Sequence, residues 1–373
     1  MNILYISHLH PPENRPLKSI GGMQKVSMQL VDELEKRPDI ELNTIIMNAS
    51  WSMIEVKAFF FLLTLLKRIP SAVRRFKPDV ILFSSMVTAA ISPFLRNRLD
   101  VPMVTINHGQ DVTLPVKLYQ RYLPKVFNSL DGVISVSSAT RQQCIQRGMD
   151  SKKGIALPNG FDLGSMDCLP EKSAARKEIE QLFNIDLEGK FLLLSVGRQV
   201  KRKGHQWFVE SVFDRIESDV VYLLIGDGPE HEIIRESVES IKKGSEIILA
   251  GKQPDRTLNV AYAAADLFIM PNIPVEGDME GFGIVLLEAN RAAVPAVASD
   301  LEGIKDVIEQ GVNGYRVPHS KPEKFADKID FVLKNELNEL SEHSLSYVRE
   351  SFSWQHVAKK YVSYLQAVIE RKE

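Results

Sequence analysis

Short apolar runs separated by longer amphipathic stretches recur along the chain. Ile3–Ser7, Leu42–Met47, Val80–Ser84, Val101–Ile106, Gly132–Val136 and Ile155–Leu157 each read as a buried strand, with helix-like periodicity in the intervals. Strands buried on both faces and alternating with helices predict a parallel, doubly wound sheet. The pattern breaks after Pro158-Asn159-Gly160, where a charge-rich stretch from about Asp162 to Glu188 reads as a linker. It resumes with Phe191–Ser195, Val220–Ile225, Ile247–Ala250, Leu267–Met270 and Ala296–Ser299. The expectation is an α/β protein of two Rossmann-like domains, over 1–162 and 163–352. An amphipathic helix over 353–373 follows, with Val357, Tyr361, Tyr364, Leu365 and Val368 on one side. Periodicity does not say which domain that helix covers; the first is the candidate. Ligands of such sheets bind beyond the carboxyl ends of the strands, so two facing sheets would form one inter-domain cleft. Candidate chemistry therefore belongs in the loops that follow strands.

Composition narrows the classes. A chain of 373 residues, 44% hydrophobic and 25% charged, suits two globular domains and argues against disorder. Forty-six Lys and Arg against 48 Asp and Glu leave a net charge of −2, so no global basic field is available to hold a nucleic acid. Cys144 and Cys168, the two cysteines, suit neither a disulfide framework nor a thiolate metal site, and a cytoplasmic compartment is expected. The start, Met1-Asn2-Ile3-Leu4-Tyr5-Ile6-Ser7, reads as a strand rather than a secretory signal. The apolar run Ala58–Leu66 is far shorter than the roughly 20 residues that span a bilayer.

Four strand-end loops carry candidate chemistry. In Glu280-Gly281-Phe282-Gly283, leading to Glu288, the glycines permit a tight turn, and the following helix opens with amides that favour an anion. Two carboxylates at that spacing could accept hydroxyls of different parts of one ligand. They would equally serve the helix dipole and a solvated face, and the short motif alone does not choose. Gly197-Arg198-Gln199-Val200-Lys201-Arg202-Lys203-Gly204 follows an apolar strand, where Arg198 and Lys203 are placed to neutralise a diphosphate. Gly21-Gly22 ends the loop after the first strand and could bring amides to a phosphate or make a plain turn. Asn107-His108-Gly109-Gln110-Asp111 follows the strand Val101–Ile106, so His108, Gln110 and Asp111 face the expected cleft.

In order and spacing these segments resemble the retaining GT-B glycosyltransferases of family 4. The resemblance spans nearly the whole chain. It adds Leu157-Pro158-Asn159-Gly160-Phe161-Asp162, Ile225-Gly226-Asp227-Gly228-Pro229, the seven residues between Glu280 and Glu288, and Phe352-Ser353-Trp354 before the last helix. It implies a donor-binding second domain and an acceptor-binding first domain. Arg198 and Lys203 would hold the donor diphosphate, and Glu288 the ribose. Glu280, with the amides of Gly281, Phe282 and Gly283, would hold the transferred sugar. Gly21 and Gly22 would approach the phosphate from the other domain, and His108 would sit at the sugar. The implied substrates are a nucleotide-sugar donor and a glycan or lipid-linked acceptor of polysaccharide, glycolipid or cell-envelope synthesis, with no cofactor.

No Asp-x-Asp occurs, and His8-x-His10 is the nearest approach to a metal pair, so metal-independent transfer is expected. Asn290-Arg291-Ala292-Ala293-Val294-Pro295 departs from the small residue and Gly that many relatives carry there, which bears on helix-to-strand packing. Val275-Glu276-Gly277-Asp278-Met279 reads as an insertion ahead of Glu280. A nicotinamide oxidoreductase is disfavoured because the first strand-end loop lacks Gly-x-Gly-x-x-Gly. A GT-B sugar-nucleotide epimerase and a noncatalytic sugar-nucleotide binder are the alternatives.

Residues 57–77 hold six basic and no acidic side chains around Phe59-Phe60-Phe61-Leu62-Leu63 and Leu65-Leu66. Such a helix either lies on an anionic membrane surface at the inner face of the cytoplasmic membrane or is buried against the first sheet.

Overall fold

The computed structural model describes residues 1–10, 22–48, 54–162 and 169–372. The chain divides into two compact units, one of Met1–Asp162 with Phe352–Glu373 and one of Leu163–Ser351.

The first unit is built on six parallel strands: β1 Asn2–His10, β2 Glu41–Asn48, β3 Val80–Phe83, β4 Met103–Asn107, β5 Gly132–Ser135 and β6 Gly154–Ala156. Their order is β2-β1-β3-β4-β5-β6, and β1 and β3 pair with Leu4 opposite Ile81. Leu4, Ile6, Ile81 and Phe83 are fully buried, as strands covered by helices on both faces require. The helix Ile54–Phe76 buries Phe61, Leu65 and Ile69 in this core. Its other face leaves Val56, Phe59, Phe60 and Leu63 between 49% and 61% exposed. Burial against the first sheet thus holds for one face of this helix.

The helix Trp354–Glu370 belongs to this unit. Ser353 caps it, accepting from His356 N at 3.4 Å, and Val357, Tyr361, Tyr364, Leu365 and Val368 are all buried. Tyr364 donates to the Lys153 carbonyl at 2.5 Å and accepts from Val133 N at 3.1 Å, which ties the helix to the ends of β5 and β6.

The second unit has β7 Phe191–Val196, β8 Val220–Ile225, β9 Ile247–Gly251, β10 Leu267–Met270, β11 Ala296–Ser299 and β12 Gly314–Val317, ordered β12-β11-β10-β7-β8-β9 and parallel throughout. Strand β12 was not expected. Its Gly-Tyr-Arg-Val sequence lacks an apolar run because it is a half-covered edge strand, where two buried faces are not required.

The expected linker is also corrected. Within that charge-rich stretch, Lys172–Phe183 is a helix that buries Ala175 and Ile179. Two of its charges are consumed locally: Lys172 and Arg176 pair with Asp266 at 2.7 and 2.9 Å, while Asp266 also accepts from Leu192 N at the head of β7. Its polarity reflects an anchored amphipathic helix.

Candidate active site

In the second sheet the chain runs outward from β7 through β8 to β9, then returns to β10 and runs the other way. The reversal lies between β7 and β10, where doubly wound sheets bind ligands. The loops after these two strands are stitched together there. Ile273 N donates to the Arg202 carbonyl at 2.9 Å. Gly204 has φ +66°, and a Cβ on it would lie 2.1 Å from the Pro271 carbonyl.

This joint brings Lys203 Nζ to 2.5 Å from Glu280 Oε2, with the two residues only 8% and 7% exposed. Asn272 Nδ2 donates to the same oxygen at 3.2 Å, and Arg202 Nε stands 3.7 Å away. Burial pushes the Glu280 carboxyl up, but Lys203 and Arg202 outweigh it and hold the group below its ordinary range. Glu280 Oε1 has no hydrogen-bond partner among the described residues, which leaves it as an acceptor for a ligand hydroxyl.

Arg198 is exposed and its side chain is unpaired among the described residues. Its loop is rigidly based: Gly197 N donates to the Ile225 carbonyl and Gln199 N to the Asp227 carbonyl, both at 2.9 Å. Gln199 is fully buried, donates to the Gly226 carbonyl at 3.1 Å, and accepts from His231 Nδ1 at 2.8 Å. Arg198 is therefore an exposed cation on a loop fixed by backbone hydrogen bonds, next to the Gly197 backbone against which the Lys203 stem lies.

The turn after Glu280 ends at Gly283, whose φ of +84° starts the helix Ile284–Arg291 without a side-chain cap. Phe282, between the two glycines, is buried. Glu288 is half-buried, with Tyr262 donating to its Oε2 at 2.9 Å. Tyr262 stacks on Phe268 of β10. The backbone of Glu280 is held from the loop after β11: Gly303 N donates to its carbonyl at 3.1 Å, and the Glu302 carboxylate accepts from its amide. Past Glu288, Asn290 donates to the Val294 carbonyl at 2.9 Å and accepts from Asn313 at 2.7 Å, and Ala293 takes φ +57°. Side-chain amides thus fix this turn without a glycine.

In the first sheet the reversal falls between β1 and β3. His8 Nδ1 lies 3.4 Å from Ser85 Oγ, and His108 Nε2 donates to the Ser84 carbonyl at 3.0 Å. Burial, then the nearby His108, lowers His8 to about 4. His10 turns instead to Ser27 Oγ at 3.1 Å, so the two ends of His8-x-His10 address different partners. Among the described residues, no group of three or more His, Cys, Asp and Glu side chains is placed to hold a metal ion. Asp111 accepts from His108 N at 2.8 Å and Met86 N at 3.1 Å, clamping the His108 loop to the end of β3. Gly109 makes that turn with φ +98°, and Gln110 is exposed. Gly22 opens the helix Gly22–Glu35, whereas Gly21 lies outside the described residues.

The structure therefore joins Lys203, Glu280 and the Gly281–Gly283 turn in one cluster of the second unit, with Arg198 on an adjoining loop and Glu288 on the helix that follows the turn. His108, Gln110 and Asp111 gather in the first unit. Asn272, Glu302, Gln199 and Tyr262 escaped sequence reasoning. Asn272 and Glu302 follow β10 and β11 by two and three residues, so the strand-end rule could have found them. Tyr262 lies inside a helix, and only tertiary structure reveals its role.

Comparison with known proteins agrees with this architecture. Residues 20–165 match the family described as Glycosyltransferase Family 4, and 177–350 match Glycosyl transferases group 1. A phosphatidyl-myo-inositol mannosyltransferase of Mycobacterium leprae is 26% identical over 85% of this chain and 85% of its own. The sulfoquinovosyl transferase SQD2 of Arabidopsis thaliana is 29% identical over 80% of this chain and 58% of its own. The putative colanic acid biosynthesis glycosyltransferase WcaL of Escherichia coli is 24% identical over 71% of this chain and 64% of its own. Among solved structures, the catalytic domain of Arabidopsis thaliana starch synthase IV, bound to ADP and acarbose, gives a TM-score of 0.77 at 15% identity, covering 99% of both chains. Anabaena HepE in complex with UDP gives 0.73 at 16% identity, over 98% of this chain and 100% of that one. Two parallel, doubly wound units of this kind define the GT-B glycosyltransferase fold. By its sequence matches the chain belongs to glycosyltransferase family 4.

Proposed function

We propose that the chain transfers a sugar from a nucleoside-diphosphate donor to an acceptor hydroxyl with retention at the anomeric carbon and without a metal, in glycolipid or polysaccharide synthesis. The observation that carries this reading is the buried Lys203–Glu280 pair at the reversal point of the second sheet, beside the unpaired Arg198. As the bond from the anomeric carbon to the donor phosphate oxygen breaks, negative charge grows on the leaving diphosphate. Arg198, Lys203 and the amides after Gly283 would meet that charge with dipoles already in place. Glu280 Oε1 would accept from a sugar hydroxyl, and Glu288, oriented by Tyr262, from the ribose. The acceptor oxygen bonds to carbon on the face the diphosphate leaves, and its proton passes to a donor phosphate oxygen. His108 and Gln110 of the first unit would face the sugar and acceptor, with Asp111 holding their loop. The relatives' names, a phosphatidylinositol mannosyltransferase and a sulfoquinovosyl transferase, support a lipid-linked acceptor.

The test is calorimetric binding and donor turnover across UDP-, GDP- and ADP-sugars, with chelator and then with divalent metal. One nucleotide sugar should be preferred, indifferent to metal, and Glu288→Ala should weaken it by about 1.5–3 kcal/mol through lost charge-assisted bonds. Unchanged affinity in that variant removes Glu288 from the ribose. Binding without turnover on any acceptor favours the noncatalytic reading.

The same proposal extends to a membrane-resident acceptor. Exposed Val56, Phe59, Phe60 and Leu63 continue along the helix Ile54–Phe76 into exposed Lys67, Arg68, Arg74 and Arg75, an apolar and cationic face suited to an anionic bilayer. Neutralising those four cations should cut binding to phosphatidylglycerol vesicles at least tenfold, at roughly 1 kcal/mol for each basic residue near the surface, and leave donor binding intact. Vesicle affinity that does not respond would assign the face another role.

A further inference from the structure

Glu302 is the first residue of a short 3-10 turn three residues beyond β11, and it adopts φ +45°. Left-handed backbone is costly for a side chain with a Cβ, and glycine relieves it. Among the described residues four other non-glycine residues share this region. Lys77, Asn184 and Ala293 terminate helices, and Ser320 sits in a turn. Glu302 alone of the five lies in a strand-end loop against the candidate active site. Strain kept at such a place asks what the side chain does there.

It holds Glu280. The Glu302 carboxylate accepts from Glu280 N, and the neighbouring Gly303 N donates to the Glu280 carbonyl at 3.1 Å, so the peptide groups on both sides of Glu280 are fixed from one loop. A Cβ on Gly303 would meet the Gly281 carbonyl at 2.2 Å, which shows how closely the two loops are pressed together. Meanwhile Glu280 Oε2 is tied to Lys203 and Asn272. With one carboxylate oxygen and both flanking peptides constrained, the direction of Glu280 Oε1 is set.

We infer that Glu302 is a positioning residue for recognition of the transferred sugar, acting through Glu280: its carboxylate locks the turn that aims Glu280 Oε1 at a sugar hydroxyl. This rests on the proposed role of Glu280. The charged groups facing Glu302 are Glu280, Asp278 and Arg202; burial and the two acids push its carboxyl up, against the Glu280 amide and Arg202. The role asked of it is that of an acceptor, which a neutral amide also fills.

The test compares Glu302→Gly, Glu302→Gln and Glu280→Gln in the full chain, using UDP-glucose against UDP, GDP-mannose against GDP and ADP-glucose against ADP. Calorimetry gives the extra affinity that the sugar confers, release of the nucleoside diphosphate gives turnover, and thermal unfolding gives stability. Glu302→Gly should keep nucleoside-diphosphate affinity within about twofold, lose about tenfold in the sugar's contribution and in turnover, and melt no lower than the parent chain. Glu302→Gln should restore turnover to within about threefold, because its carbonyl oxygen still accepts from Glu280 N. An undiminished sugar contribution in Glu302→Gly overturns the inference. So does a loss shared equally by the bare nucleotide and the melting temperature, which marks a fold-stabilising clamp. If Glu280→Gln leaves the sugar contribution intact, or none of the three pairs binds, the underlying reading of Glu280 fails instead.

Discussion

Lys203→Ala is expected to slow release of nucleoside diphosphate from the donor by about a hundredfold or more, the usual cost of removing one preorganised group that meets transition-state charge. The substitution also strands the buried Glu280 carboxylate, with only Asn272 and the more distant Arg202 left to it. Breaking one side of a buried ion pair costs about 3–5 kcal/mol, so stability should fall as well, and activity alone would not separate the causes. Lys203→Met combined with Glu280→Leu does. Removing both charges leaves no unpaired ion, so the double variant should regain most of the melting temperature while turnover stays at the floor. Arg198→Ala gives the complementary case: an exposed cation without a side-chain partner should lose turnover with no change in unfolding. Near-normal turnover in Lys203→Ala and Arg198→Ala together would end the diphosphate assignment for both.

The contrast between Lys203 and Glu302 shows which parts of the site a sequence makes legible. Lys203 lies in a basic loop directly after an apolar strand, and Glu280 precedes a Gly-x-Gly turn; both are local signals, read from strand position and residue type. Their pairing is not local, because it depends on β7 and β10 being neighbours across the reversal of the sheet. Glu302 carried no signal of residue type, since a lone Glu after a strand is usually a solvated one. Its meaning comes from φ and from the amide it meets. The same division runs through the fold. Strands buried on both faces, such as Val220–Ile225 and Leu267–Met270, announced themselves with their observed boundaries, whereas the edge strand β12 did not. The helix Lys172–Phe183 resembled a linker because the charges that anchor it to Asp266 look, in one dimension, like solvated ones.

Gly226→Ala should be the most damaging single-methyl change in the second unit. Gly226 follows β8, takes φ +141°, and would place a Cβ 1.8 Å from the Gly197 carbonyl. That carbonyl belongs to backbone, with no rotamer to turn aside, and its loop is held by Gly197 N on the Ile225 carbonyl and Gln199 N on the Asp227 carbonyl. Relief therefore requires the ends of β7 and β8 to part, carrying Arg198 and the base of Lys203 with them. Overpacking and strained backbone each cost about 1–3 kcal/mol, so the sum is on the order of 3 kcal/mol or more. In a unit of this size that corresponds to about 6–12 °C in melting temperature. Gly251→Ala is the control, because Gly251 ends β9 at φ +61° with nothing within 4 Å of its would-be Cβ. It should pay only the left-handed backbone penalty of about 1–2 kcal/mol. Equal melting temperatures for the two variants would mean that the close approach of Gly197 and Gly226 does not hold the loops after β7 and β8 together. The expected gap, with nucleoside-diphosphate affinity falling in Gly226→Ala and holding in Gly251→Ala, would tie the packing of these two glycines to the placement of the cations beside them.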